Sequence, residues 1–210
     1  MKAKLIGPLS GLVFVVLATI ALLIGGKTPS VTDPADKVVA FYADKADEQQ
    51  AAAGLLALAC VALLFFLGTL YKTLRASAGD DGGLSTVVVL GGLMIAVGVT
   101  VFAGLGFTLG DAADNLPAAA TLALNALNSD LFISLAVGTA VFNIGLALAI
   151  LRHGGLPRPL GMLALVVGVA CATPAGYIAS LATGLVIAWS SISLTMQAMS
   201  AERAAISPGQ

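Results

Sequence analysis

The chain has 210 residues, 59% hydrophobic and only 10% charged, with a mean hydropathy of +1.01 and a formal net charge of −1. A soluble domain carries about 25% charged residues, so this composition excludes an ordinary water-soluble core, which would lack polar surface to face water. It also lacks the positive excess that holds nucleic acid by neutralising phosphates.

Every Lys, Arg, Asp and Glu falls outside six long apolar stretches. Each charge costs about 2.5 to 3.5 kcal/mol at the centre of an inserted helix, so stretches this clean predict an all-α, polytopic membrane protein with six spans in a single membrane domain. The first runs over about 5–24, preceded by Lys2 and Lys4. Its apolar run exceeds a signal-peptide core of about 7 to 15 residues, and no A-x-A site follows. It is read as an uncleaved signal anchor.

A polar segment follows, and 33–50 reads as an outer amphipathic helix on the membrane surface. Thr32 or Asp33 is placed to cap it, Pro34 occupies its first turn, and Val38, Phe41 and Tyr42 share a face opposite Asp36, Lys37, Asp44 and Lys45. The second span covers about 51–71 and ends in Lys72 and Arg75. After a turn-rich connector with Asp80, Asp81, Gly82 and Gly83, a third span covers 84–109. Its Gly91, Gly92, Gly98, Gly104 and Gly106 predict close helix packing through small residues. A second outer segment, 116–129, carries Leu122, Leu124 and Leu127. The fourth span, 131–151, stops at Arg152 and His153, and the Gly154–Pro159 connector cannot continue a helix. The charge-free stretch 160–199 is too long for one crossing of about 20 residues. Pro174-Ala175-Gly176 supplies a turn, dividing it into spans at 160–173 and 177–196. Pro34 and Asp47 are spaced as Pro117 and Asp130 are, a faint internal repeat of span, outer helix, span.

Charge sign orients these spans. With both termini in the cytoplasm, seven basic residues lie inside (Lys2, Lys4, Lys72, Arg75, Arg152, Arg158 and Arg203) and three outside (Lys27, Lys37 and Lys45). That is the positive-inside bias.

No residue pattern here carries catalysis. There is no G-x-S-x-G elbow, H-E-x-x-H or Walker loop, and no ionisable group lies within a span to relay protons or ions. Cys60 and Cys171 sit inside spans without metal-ligand spacing. His153 has no neighbouring carboxylate or cysteine in its loop, and the outer acids lack EF-hand spacing. The chain is therefore expected to be non-enzymatic, with no catalytic, cofactor-binding or metal-ligating residues. Asn143 is the most polar side chain at depth and is expected to act as interhelical glue, with Thr100, Ser134, Thr139 and Ser180 at similar depth. Phe41, Tyr42 and Asn143 are the candidate ligand or partner contacts, on the reading that the outer face binds a lipid, a small amphiphile or a membrane-protein partner. A small transporter or channel-like protein is the alternative. Trp189, inside the sixth span, is expected either to pack in the bundle or to mark a misplaced boundary.

The Pro29-Ser30 and Phe41-Tyr42 outer segment, the apolar second span and the inner Leu156-Pro157-Arg158 resemble a family of uncharacterised actinobacterial multi-pass membrane proteins with a domain of unknown function. The resemblance covers nearly the whole chain. It implies a six-helix bundle in the bacterial inner (plasma) membrane and no particular activity.

Overall fold

The computed structural model describes residues 3–79, 82–112, 115–173 and 176–206. Lys2, Asp80, Asp81, Asp114 and the Pro174-Ala175 turn fall outside the described residues. Among them the regular secondary structure is helical throughout: α1 (Ala3–Gly25), α2 (Ala35–Asp44), α3 (Ala46–Ala78), α4 (Gly83–Asp111), α5 (Ala118–Asp130), α6 (Phe132–His153), α7 (Arg158–Cys171) and α8 (Gly176–Ile206). Lipid offers no partner to backbone N–H and C=O groups, so each apolar stretch satisfies its own as a helix.

Five stretches, Leu5–Gly25, Ala46–Ala78, Gly83–Asp111, Ala118–His153 and Ile178–Ala204, are long and apolar enough to cross a membrane. The sixth expected span is α7, only 14 residues. At 1.5 Å per residue it reaches about 21 Å, short of a hydrocarbon core of about 30 Å. Pro157 fixes its start, and its C-cap at Ala172 ends it before the hairpin to α8. Conversely, α3 and α8 overrun the predicted spans, α8 by ten residues beyond Met196.

The five long helices and the shorter α7 pack as a ring in the order α1, α3, α4, α6, α7, α8 and back to α1, with α6 touching α8 and α3 across it. Phe14 of α1, Leu63 and Phe66 of α3, Phe142 and Leu146 of α6, and Ile187 of α8 fill its centre. Helices α4 and α6 approach closely: a Cβ on Gly91 would overlap the Phe142 backbone, and one on Gly138 would lie 3.0 Å from the Ile95 nitrogen. Gly92 meets Leu67 in the same way, as the glycine pattern predicts. Gly98 makes only ordinary contact, and nothing lies near Gly104 or Gly106. Close packing returns at the end of α4, where a Cβ on Gly110 would lie 2.9 Å from the Ala46 carbonyl oxygen of α3. Outward, Leu23, Phe65, Val97, Val166 and Ile178 are exposed, as a lipid-facing surface requires. Trp189 belongs to this outer surface at 39% exposure.

On the face where α1 begins and α8 ends, the Gly154 amide closes α6 on the Ile150 carbonyl. Gly154 and Gly155 both have positive φ, 79° and 82°. The turn packs on α3, where a Cβ on Gly155 would overlap Ser77, and Gln197 of α8 donates to the Gly155 carbonyl at 2.9 Å.

The opposite face carries α2 and α5. The expected single helix over 33–50 is two helices, because Lys45 breaks it with φ −118° and ψ 27° and residues from Ala46 onward belong to α3. The capping expectation also fails. Pro34, not Thr32 or Asp33, sits at the N-cap and no side chain caps α2. Asp33 instead accepts from the Ser30 amide and from Lys37, each at 2.8 Å. The repeat dissolves too: Pro34 and Pro117 each precede an outer helix with nearly the same backbone angles, but Asp47 lies in the first turn of α3 whereas Asp130 ends α5.

Candidate functional site

Among the described residues, the predicted Tyr42 and Asn143 each join a group of buried polar side chains, and the structure keeps the two groups apart. One lies between α2 and α5, the other between α6 and α8.

In the first, α2 and α5 pack on each other over the ends of α3 and α4. Val38 and Tyr42, one helical turn apart, are fully buried against Leu109 of α4, with Phe41, Leu122 and Leu124 around them. Phe41 stacks edge-on against Tyr42, ring centres 5.2 Å apart. The Tyr42 hydroxyl donates to Asn125 Oδ1 at 2.7 Å, and the Asn125 amide donates at 3.4 Å to the Pro29 carbonyl. One asparagine thus ties α2, α5 and the segment after α1 together. Burial pushes the Tyr42 phenol up to about 12, because the ionised form would lose its water. At the edge, the Lys37 ammonium and then the Ser30 amide hold the Asp33 carboxyl below its usual range.

The face of α5 turned inward is polar. Thr121, Asn125 and Asn128, spaced to share one side of a helix, are 0%, 1% and 5% exposed. Thr121 Oγ1 and Asn128 Oδ1 have no hydrogen-bond partner. Ala119, Ala123 and Leu127 point the other way and are exposed. Of the predicted leucines, Leu122 and Leu124 pack inward and Leu127 outward.

Below the cap, Gln49 of α3 donates to the Gly25 carbonyl at 2.7 Å, closing the end of α1. It borders a crevice of about 50 Å³ between α1, α3 and α4, lined by Ala21, Ala52, Phe102 and Gly106 among others.

In the second place, the Asn143 amide donates to the Thr139 carbonyl and to Thr183 Oγ1, both at 2.8 Å. Thr139 and Ser180 hydroxyls meet at 3.1 Å. Asn143 Oδ1 is buried without a partner. Asn143 therefore joins α6 to α8, as interhelical glue does, with Thr139 and Ser180 beside it. Thr100 instead bonds the Ala96 carbonyl on its own helix at 2.6 Å, and Ser134 is exposed. Helix α7 comes close because Gly168 leaves room: a Cβ there would lie 3.0 Å from the Asn143 Cβ.

Sequence reasoning found Tyr42 and Asn143 but missed Asn125, Gln49 and Thr183. For Asn125 the signal was available, since Thr121, Asn125 and Asn128 form a polar stripe at i, i+4 and i+7. It missed Ser191 as well, whose hydroxyl accepts from the Leu12 amide at 3.1 Å and donates to the Pro8 carbonyl, pinning α8 to α1. Among the described residues, no three His, Cys, Asp or Glu side chains stand close enough to hold a metal ion. Cys60 and Cys171 are buried thiols.

Comparison with protein-family models, curated proteins and solved structures finds no match. The resemblance to the actinobacterial family gains no support from it.

Proposed function

We propose that this is a non-enzymatic protein of the bacterial inner membrane that binds a lipid, small amphiphile or membrane-protein partner through its α2–α5 face. The observation that carries the reading is the outward side of α5. From Ala118 to Ser129 the helix has no charged residue, and it turns Ala119, Ala123 and Leu127 outward while burying its polar stripe. A helix facing only water places its polar side outward. The aromatic and aliphatic filling of the ring supports binding over the transporter alternative.

The orientation belongs to the same proposal, with both termini cytoplasmic and α2–α5 outside. A cysteine replacing Asp36, in a background without Cys60 and Cys171, should react with an impermeant reagent on intact cells. One replacing Ala78 should not, and the reverse pattern would overturn the orientation.

The binding reading is tested by gentle extraction and mass spectrometry of co-purifying lipids and proteins. A discrete companion should be lost in Leu127→Glu, which puts a charge on the outward side of α5, and kept in Ala40→Glu on exposed α2. Equal retention by both variants, or solute flux in liposomes, would sink it.

A further inference from the structure

A second surface feature lies at the other end of the molecule, between the second half of α3 and the first half of α4, toward the face on which α1 begins and α8 ends. Between them is a cleft of about 390 Å³ open to the side of the bundle. Helix α3 lines it with Leu64, Gly68 and Tyr71, and α4 with Thr86, Leu90 and Leu93. Leu64, Leu90 and Leu93 are 46%, 54% and 40% exposed, so this side faces lipid. Gly68 opens the floor, as nothing lies within 4 Å of where its Cβ would be.

The cleft has a polar mouth. Tyr71 and Arg75 continue the α3 stripe at the spacing of one helical turn. The Arg75 guanidinium lies across the start of α4, where a Cβ on Gly82 would overlap it. Lys72 is exposed beside it. Among the described residues no side chain caps the start of α4, so its first amides and the positive end of its dipole lie close to these two cations, with Asp80 and Asp81 preceding it in the sequence. From Arg75 back to Leu64 the rise along α3 is about 16 Å, roughly half of a hydrocarbon core of about 30 Å. Apolar wall, aromatic interface residue and cations thus follow one another over the depth of a single leaflet.

We propose that this cleft binds an anionic phospholipid of the surrounding bilayer, with one acyl chain along Leu64 and Leu93 and the phosphate at Arg75 and Lys72. Basic pockets between membrane helices select anionic headgroups in this way. The site lies on the opposite face from α2–α5 and stands or falls independently of that reading.

The test is native mass spectrometry of the full chain from nanodiscs of equal phosphatidylglycerol and phosphatidylcholine. The unmodified protein should retain phosphatidylglycerol in preference. Lys72→Gln and Arg75→Gln should each weaken its retention about fivefold, and Arg75→Lys should keep most of it. Gly68→Leu builds into the floor, where a Cβ meets nothing within 4 Å, and should remove retained lipid of both kinds with thermal unfolding unchanged. If Arg75→Gln loses its fold, Lys72→Gln alone carries the charge test. Equal retention of the two lipids by the unmodified protein would mean an unselective lipid shell and overturn the proposal. So would an undiminished preference in the folded charge variants, or unchanged retention in Gly68→Leu.

Discussion

Helices α2 and α5 enter through the same kind of turn, each led by a proline, and pack against each other, yet they are built inside out relative to one another. Helix α2 buries Val38 and Tyr42 and exposes Asp36, Lys37 and Asp44, the ordinary arrangement for a helix with water on one side. Helix α5 buries Thr121, Asn125 and Asn128 and exposes Ala119, Ala123 and Leu127. Apolar burial holds α2 in place, since fully burying a large side chain contributes about 1.5 to 3 kcal/mol. Helix α5 gives up part of that contribution and holds its position through hydrogen bonds. Two of its buried oxygens nevertheless lack partners, and an unsatisfied buried group costs about 1 to 3 kcal/mol. The pair teaches that a stripe in sequence identifies a face but does not say which solvent the opposite face meets.

The sharpest way to break this comparison is at Asn125, where the two helices depend on one another. Asn125→Ala leaves the Tyr42 hydroxyl buried without an acceptor and frees the Pro29 carbonyl. It should cost about 1 to 3 kcal/mol, read as a lower unfolding midpoint in detergent together with faster hydrogen exchange over α2. Tyr42→Phe combined with Asn125→Leu should cost less than the two single changes summed, because the pair then leaves neither group stranded. A stable Asn125→Ala protein with unchanged exchange in α2 would show that the polar face of α5 does not hold α2.

The bundle itself was legible because lipid imposes a simple rule. Charged residues mark the ends of apolar runs, and each run forms a helix. Boundaries were less legible where α3 and α8 continue beyond the apolar run, since Ala46, Asp47, Glu48 and Gln49 suit the start of a helix as well as a loop. Likewise, Lys45 is no evident helix breaker, so the division of 33–50 could not be read from residue type. Tyr42 was singled out as an aromatic that meets a ligand or partner, but its full burial and its bond to Asn125 give it a holding role in this structure. Asn143 is polar enough to stand out in an apolar span. Its partner Thr183 was hidden, because a threonine on the far side of a helix pair has no signature until the crossing is known.

The smallest expected effect concerns the ionisation of Tyr42, and it separates the buried side of α2 from its edge by pH. Asp33, at the edge of α2, is half-buried, with its carboxyl held below the usual range by Lys37 and the Ser30 amide. Its contribution is present above the unfolded carboxyl range and fades as pH falls through the lowered value. Tyr42 behaves in the opposite sense. An unfolded phenol ionises near 10, whereas the buried one is pushed up to about 12. The stability linked to its burial is therefore complete below about pH 10 and is lost as pH rises from there through about 12. Ionisation would also set a phenolate against Asn125 Oδ1, an acceptor facing an acceptor. In an ultraviolet titration of the folded protein, the phenolate signal removed by Tyr42→Phe should be nearly absent at pH 11 and rise only toward pH 12. A full Tyr42 signal at pH 10.5 with the fold intact would mean that water reaches the α2–α5 interface, and the buried polar stripe of α5 would then be solvated rather than sealed.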